Sequence, residues 1–229
     1  MKTTLTLAMA ACAALPAFAD ARTQGKIITY DDIVRAQKAA ELPTGIEIGG
    51  VYNMANRNIF CGSDSDMSEE VKKVDTWGID MTGFWHLNKN HAVTLRFGYA
   101  WGEESKVNEF DGLTEKGKIK VSSFTLMPGY RYVWRPNRAW SVYTAANVGA
   151  ARMEVEEGWD EEIQSKHAMG FSYSVEIGAT YAFSEDVAIF AACQFGGNTA
   201  RAEFTDGADR YKTRSQTYNT FRIGTSIRF

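Results

Sequence analysis

From Thr44 onward the chain alternates. Bulky apolar residues and small or polar residues follow one another with period two, which is how a strand with two different faces is written. The clearest stretch is 169–183. Met169, Phe171, Tyr173, Val175, Ile177, Ala179, Tyr181 and Phe183 share one parity. Gly170, Ser172, Ser174, Glu176, Gly178, Thr180 and Ala182 share the other. That run is longer than the roughly five or six residues of an ordinary globular strand.

Seven further windows follow the same rule: 44–54, 75–87, 92–101, 119–134, 139–153, 187–197 and 217–229. Trp77, Ile79, Met81, Trp85 and Leu87, for example, stand opposite Thr76, Asp80 and Thr82. The connections alternate in length. Residues 88–90, 135–138 and 184–186 are tight, built from turn-forming Asn, Pro, Ser and Asp. Residues 55–74, 102–118, 154–168 and 198–216 are long, polar and charged.

Eight strands with short turns at one end and long loops at the other predict an all-β fold, an antiparallel up-and-down barrel. Closure removes the sheet edges that lipid cannot satisfy with hydrogen bonds. The orientation follows from side-chain size. The non-apolar parity is rich in Gly, Ser, Thr and Ala, which suits the narrow interior of an eight-stranded barrel. The bulky apolar parity then faces lipid. Trp85, Tyr130, Tyr132, Trp134, Trp140, Tyr181, Phe183 and Phe229 gather at the turn end, and Tyr52, Trp77, Tyr99, Trp101, Phe171, Tyr173 and Phe195 at the loop end. Aliphatic residues lie between. Two aromatic girdles around an apolar band are the mark of a transmembrane barrel. A soluble lipocalin-like periplasmic binder is the alternative, with the apolar parity turned inward around a ligand.

The last strand, Tyr218 to Phe229, ends on an aromatic residue. This looks like the C-terminal signal of outer-membrane proteins, and the chain from Thr44 to Phe229 resembles small eight-stranded barrels of the OmpA/OmpX/opacity-protein type. The resemblance rests on pattern rather than on a signature motif. It implies integral residence in the bacterial outer membrane, contact with outer-membrane lipid and lipopolysaccharide, and recognition of the Phe229 strand by the assembly machinery. It also implies a host or surface ligand at the loops. With Phe229 ending the barrel, the family's peptidoglycan-binding domain has no place in this reading.

Lys2, the short apolar run Leu5–Leu15, Pro16 and the small-x-small triplet Ala17-Phe18-Ala19 read as a secretory signal cleaved after Ala19. Cys12 in Met9-Ala10-Ala11-Cys12 matches a lipoprotein box poorly. The expected organisation is a signal peptide over 1–19, a periplasmic segment over 20–43 and a barrel over 44–229. Within 20–43, Asp31 and Asp32 precede a weak apolar stripe (Ile33, Val34, Leu42) that suits a short helix ending before Pro43; a disordered tail is the alternative. Two cysteines remain after cleavage, Cys61 in a loop and Cys193 in mid-strand. They are expected to stay unpaired.

Little in the chain suggests chemistry. Lys plus Arg number 25 against 28 Asp plus Glu, a net charge of −3. Nucleic acid is therefore excluded as an expected partner. Of the three histidines, His86 and His91 flank a tight turn and His167 lies at the base of a loop. Ser165-Lys166-His167 is adjacent in sequence, which is not a catalytic geometry. Barrels that deacylate lipid A resemble His-x-Ser-Asn on a strand, whereas Ala168 and Met169 follow His167 here. No zinc spacing or phosphate loop stands out, and the acidic run 154–162 lacks the calcium-loop order. No cofactor is expected. Six charges fall on the inward parity: Glu47, Asp80 and Glu176 against Arg96, Arg131 and Arg222. Charges in a narrow lumen are costly unless paired, so most of them are expected to belong to one internal network that blocks flow; a solvated channel is the alternative. The functional expectation is a non-enzymatic outer-membrane barrel with a structural or surface-contact role through four long charged loops. A barrel enzyme acting on lipid A is the second reading.

Overall fold

The computed structural model describes residues 44–57, 59–61, 73–110, 113–134, 139–159, 162–206 and 209–229. The expected signal peptide over 1–19 and the expected periplasmic segment over 20–43 lie outside the described residues.

The alternating windows become strands β1 (Thr44–Ala55), β3 (Thr76–His86), β4 (His91–Phe110), β5 (Leu113–Trp134), β6 (Trp140–Trp159), β7 (Glu162–Ala182), β8 (Val187–Asn198) and β11 (Gln216–Arg228). These eight close into a barrel in the order β1-β11-β8-β7-β6-β5-β4-β3, each antiparallel to its neighbours. Between them lie β2 (Phe60–Cys61), β9 (Glu203–Asp206) and β10 (Asp209–Thr213), which form a separate three-stranded sheet in the order β2-β10-β9. The seam between first and last strands is pinned at the turn end. There the Phe229 amide donates to the Thr44 carbonyl at 2.9 Å, and the Thr44 hydroxyl donates to the Phe229 carbonyl at 3.0 Å.

The apolar parity faces outward. Trp77, Ile79, Val175, Ile177, Phe221 and Ile223 are all at least half exposed on the barrel surface. A soluble barrel would bury these side chains, so the lipocalin-like alternative fails on face chemistry. Girdle rings pack against each other across strands, as Tyr52 does on Trp77 at 4.3 Å and Trp140 on Tyr181 at 4.9 Å between centroids.

Two of the four expected long loops are largely strand. β4 and β5 stay paired from Trp101–Ser122 up to Phe110–Leu113, and β6 and β7 from Ala150–Phe171 up to Trp159–Glu162. The alternation continues through these stretches with its chemistry inverted. Outside, Glu103, Lys118, Lys120, Glu154 and Glu156 replace the aromatics. Inside, Ile119, Val121, Met153 and Val155 are buried where the lumen below is polar. Once a strand clears the membrane its outer face meets water, so the pattern of a lipid-facing strand reverses and reads as loop.

Pro128 leaves a local mark. It pairs with Leu95 on β4, but the β5–β6 ladder goes from Leu126–Ala150 to Gly129–Asn147 without pairing Met127 or Pro128. Proline has no N–H to give, and the missing donor falls on the β6 side.

The lumen as candidate functional site

Four layers of side chains fill the barrel, and β5 serves as a ruler for them. Its inward residues run Arg131, Met127, Thr125, Ser123, Val121 and Ile119 from the turn end to the loop end.

At the turn end Arg131 holds Glu47 by two parallel hydrogen bonds, Nη1 to Oε1 at 2.6 Å and Nη2 to Oε2 at 2.7 Å. The guanidinium lies 4.1 Å from the Tyr143 ring centroid and 5.6 Å from that of Phe84. This is a buried charge pair inside an aromatic collar. Glycines make room for the collar: a Cβ on Gly178 would meet the Tyr143 ring at 2.5 Å, and one on Gly49 would meet Phe190 at 2.8 Å.

The second layer joins four charges. Arg222 donates to Asp80 through Nε at 2.5 Å and Nη2 at 3.0 Å, and to Glu176 through Nη1 at 2.6 Å. Arg96 donates to Glu176 and to Gln194, and its Nε lies 3.8 Å from Asp80. Thr82 accepts from both arginines at 3.3 Å. Two guanidiniums face two carboxylates, so the layer is electrically neutral. Phe190 stacks beside Arg222 at 5.1 Å. All six inward charges are buried. They fall into two groups, a pair and a foursome.

The third layer is uncharged and polar. Thr220 donates to Asn53 at 2.6 Å, and Asn53 donates to Thr76 at 3.0 Å. Ser123, Thr125, Ser172 and Asn198, together with apolar Val51, Ala100 and Met127, line a cavity of about 80 Å³ that also touches Asp80, Arg96 and Gln194. The fourth layer is apolar. Ile119, Val121, Met153 and Val155 of the barrel wall form one buried cluster with Ile59, Val74, Ala200, Ala202 and Phe204 from the segments around the small sheet. The Thr213 hydroxyl accepts from the Ala202 amide at 2.7 Å, tying that sheet to the chain that covers the mouth.

The candidate chemistry outside the lumen takes a different form. Ser165 donates to Glu154 at 3.1 Å, and Glu154 is the cross-strand neighbour of His167. A hydroxyl committed to a carboxylate is not the nucleophile-to-imidazole bond that acyl transfer needs. The described acidic residues of 154–162 do not converge, since Glu154 and Glu156 sit on the outward parity and Glu157 is buried on the inward one. Cys193 is a free thiol on the outer surface. Next to Lys118, whose ammonium lies 3.0 Å away, the Glu103 carboxyl is held below its ordinary range, first by the hydrogen bond and then by the charge. The aromatic collar and the apolar cap are the parts that sequence reasoning missed. Phe84, Tyr143 and Phe190 occupy the small-residue parity, and their signal was the inward glycines opposite them.

A closed eight-stranded barrel with lipid-facing girdles and a filled lumen defines a transmembrane barrel of the outer-membrane class. The family model described as "Outer membrane protein beta-barrel domain" matches residues 5–229, and the chain belongs to that family. It is a protein of the bacterial outer membrane. Among solved structures it is similar to the outer membrane protein OprG from Pseudomonas aeruginosa, with 14% identity, a TM-score of 0.56, and coverage of 82% of this chain and 96% of that one. It is also similar to Neisserial surface protein A, with 10% identity, a TM-score of 0.52, and coverage of 81% and 97%. These likenesses concern the fold. No match to the chain is found among curated proteins.

Proposed function

We propose that this protein is a plugged, non-enzymatic barrel whose work is done at the outer surface, as an envelope component that contacts other surfaces. The observation that supports this most is the continuation of β4–β7 beyond the outer girdle as paired strands. These carry Glu103, Lys118, Lys120, Glu154 and Glu156 on their water-facing side. A rigid sheet that presents ordered charges of both signs suits contact with another charged surface better than a set of solvated loops would. Lys118–Glu103 and Lys120–Glu156 pair at 3.0 and 3.4 Å, which fixes the charge pattern in place. The buried pair and foursome of the lumen favour a blocked interior over a conducting one. Phe229, exposed at the barrel seam, suits the reading of the last strand as the segment that assembly machinery recognises.

The deciding experiment is complementation. A deletion strain is scored for detergent sensitivity and for adhesion to an immobilised surface. It is then complemented with wild type or with a variant neutralised at Glu103, Lys118, Lys120 and Glu156 by Gln. The surface-contact reading requires the neutral variant to assemble, restore detergent resistance and fail in adhesion. Full rescue of adhesion would refute it. Steady ion conductance of the wild type in planar bilayers would separately refute the plug.

A further inference from the structure

The outer aromatic girdle has a gap on β6. At the loop end of that strand the outward positions are Val148, Ala150 and Arg152, with no ring among them. The neighbouring strands keep theirs. Ala150 stands beside Leu126 and Phe171, and Arg152 beside Phe124 and Met169. Arg152 is exposed on the lipid-facing parity, one outward position beyond the level of Phe171. Higher on the sheet, Lys118 and Lys120 have carboxylate partners in Glu103 and Glu156. Arg152 has no ion-pair partner among the described residues. Glu154, the next outward residue of its own strand, lies about 7 Å further along β6, and its carboxylate accepts from Ser165. A guanidinium on the lipid-facing parity is costly deep in the membrane and is held at its edge where an anion or water meets it.

We infer that Arg152 is a binding site for a phosphate of lipid A, the membrane anchor of lipopolysaccharide. Aromatic belts mark the level of the membrane interface. A side chain one outward position past that belt reaches the depth at which lipid phosphates lie. The planar guanidinium matches a phosphate with two parallel hydrogen bonds, and no carboxylate competes for it at contact distance. Below the cation, the small Ala150 leaves a recess between the exposed rings of Phe124 and Phe171, where an acyl chain can run under its own phosphate. Lipid A carries both parts, phosphates set directly above acyl chains. The loop end of the barrel faces the outer leaflet, where this lipid is the phosphate carrier. The site lies beneath the charged face of β4–β7 and acts toward the membrane rather than toward another surface.

The test counts lipid held by the folded barrel. Wild type, Arg152→Gln, Arg152→Lys and the remote control Lys212→Gln are reconstituted in phosphatidylcholine vesicles. The vesicles are doped with bisphosphorylated lipid A, with dephosphorylated lipid A, or with phosphatidylglycerol. Heat-modifiable gel mobility verifies closure of each variant. The barrels are extracted in mild detergent, and native mass spectrometry counts the bound lipid. Wild type and Lys212→Gln should retain bisphosphorylated lipid A equally. Arg152→Gln should retain roughly tenfold less, the size expected of one charge-assisted contact. Arg152→Lys should fall between, because the ammonium keeps the charge and loses the fork. Retention by Arg152→Gln equal to that of wild type would overturn the site. Equal retention of the dephosphorylated lipid would overturn phosphate as the recognised group. Equal retention of phosphatidylglycerol would overturn lipid A as the occupant. The adhesion reading is scored separately, since none of these lipid counts involves the residues neutralised there.

Discussion

Arg131 and Glu47 stand 84 residues apart in sequence and meet face to face inside the barrel, two guanidinium nitrogens on two carboxylate oxygens at 2.6 and 2.7 Å. Removing one member strands the other in an aromatic collar. Arg131→Ala or Glu47→Gln should each cost about 3–5 kcal/mol, and the double variant less than their sum. Urea unfolding in lipid, run as a double-mutant cycle, measures this. Additive losses would mean that the pair is solvated.

Glu176 behaves differently because two arginines share it. In the cycle of Arg222→Ala with Glu176→Ala, the double variant still leaves Arg96 without its hydrogen-bonded carboxylate, with only the more distant Asp80 at 3.8 Å. The coupling should therefore be smaller than for Arg131 with Glu47. The same unfolding assay gives the comparison, and an equal or larger coupling would contradict the shared geometry.

Pro128 withholds a donor from the β5–β6 ladder within the membrane. Pro128→Val keeps an apolar surface toward lipid and restores the N–H. One added backbone hydrogen bond should raise stability by about 1 kcal/mol. A higher urea midpoint, with slowed amide exchange at Val148 and Gly149, is the expected outcome. A lower midpoint would mean that the strand is shaped around the proline.

At the outer sheet the Glu103 carboxyl titrates below its ordinary range because Lys118 lies beside it. A depressed carboxylate stabilises the fold above its unfolded pKa, and that contribution disappears as pH falls through the folded one. The group is exposed, so the effect on stability is small and carbon NMR is the right readout. Lys118→Gln should move the Glu103 titration upward. An unchanged midpoint would remove the ion pair from the account of this surface.

Phe229 contributes only its backbone to the seam. Phe229→Ser should therefore leave the stability of the refolded barrel within about 0.5 kcal/mol of wild type. In cells it should lower the fraction that reaches the heat-modifiable form. Normal assembly of the variant would exclude the side chain as a recognition signal.

The barrel was legible because alternation over eight windows leaves few other folds, and because Glu47, Asp80, Glu176, Arg96, Arg131 and Arg222 stand among small residues on a parity that has only the lumen to face. Their division into a pair and a foursome was not legible. It depends on how strand stagger places Arg131 level with Glu47, and Arg96 and Arg222 level with Glu176, and stagger is a property of closure that no single strand records. The outer extensions escaped for another reason. Glu103, Lys118, Glu154 and Glu156 look like loop when the rule expects apolar residues outside, yet Val155 keeps the period intact inside. The small outer sheet escaped because two to five residues are too few to show a period.

The unbroken parity of β5, from Ile119 under the cap to Arg131 in the collar, means that this strand has no point at which a length change is absorbed. One residue inserted between Lys120 and Phe124 would carry lysines inward and Val121 outward on one side of the insertion. Substitutions on the water-facing side of the extensions carry no such constraint. Variation in this protein should thus accumulate as substitutions on the outer face of the sheet. The strands themselves would hold their residue count fixed, so that the exterior can diversify while the barrel stays in register.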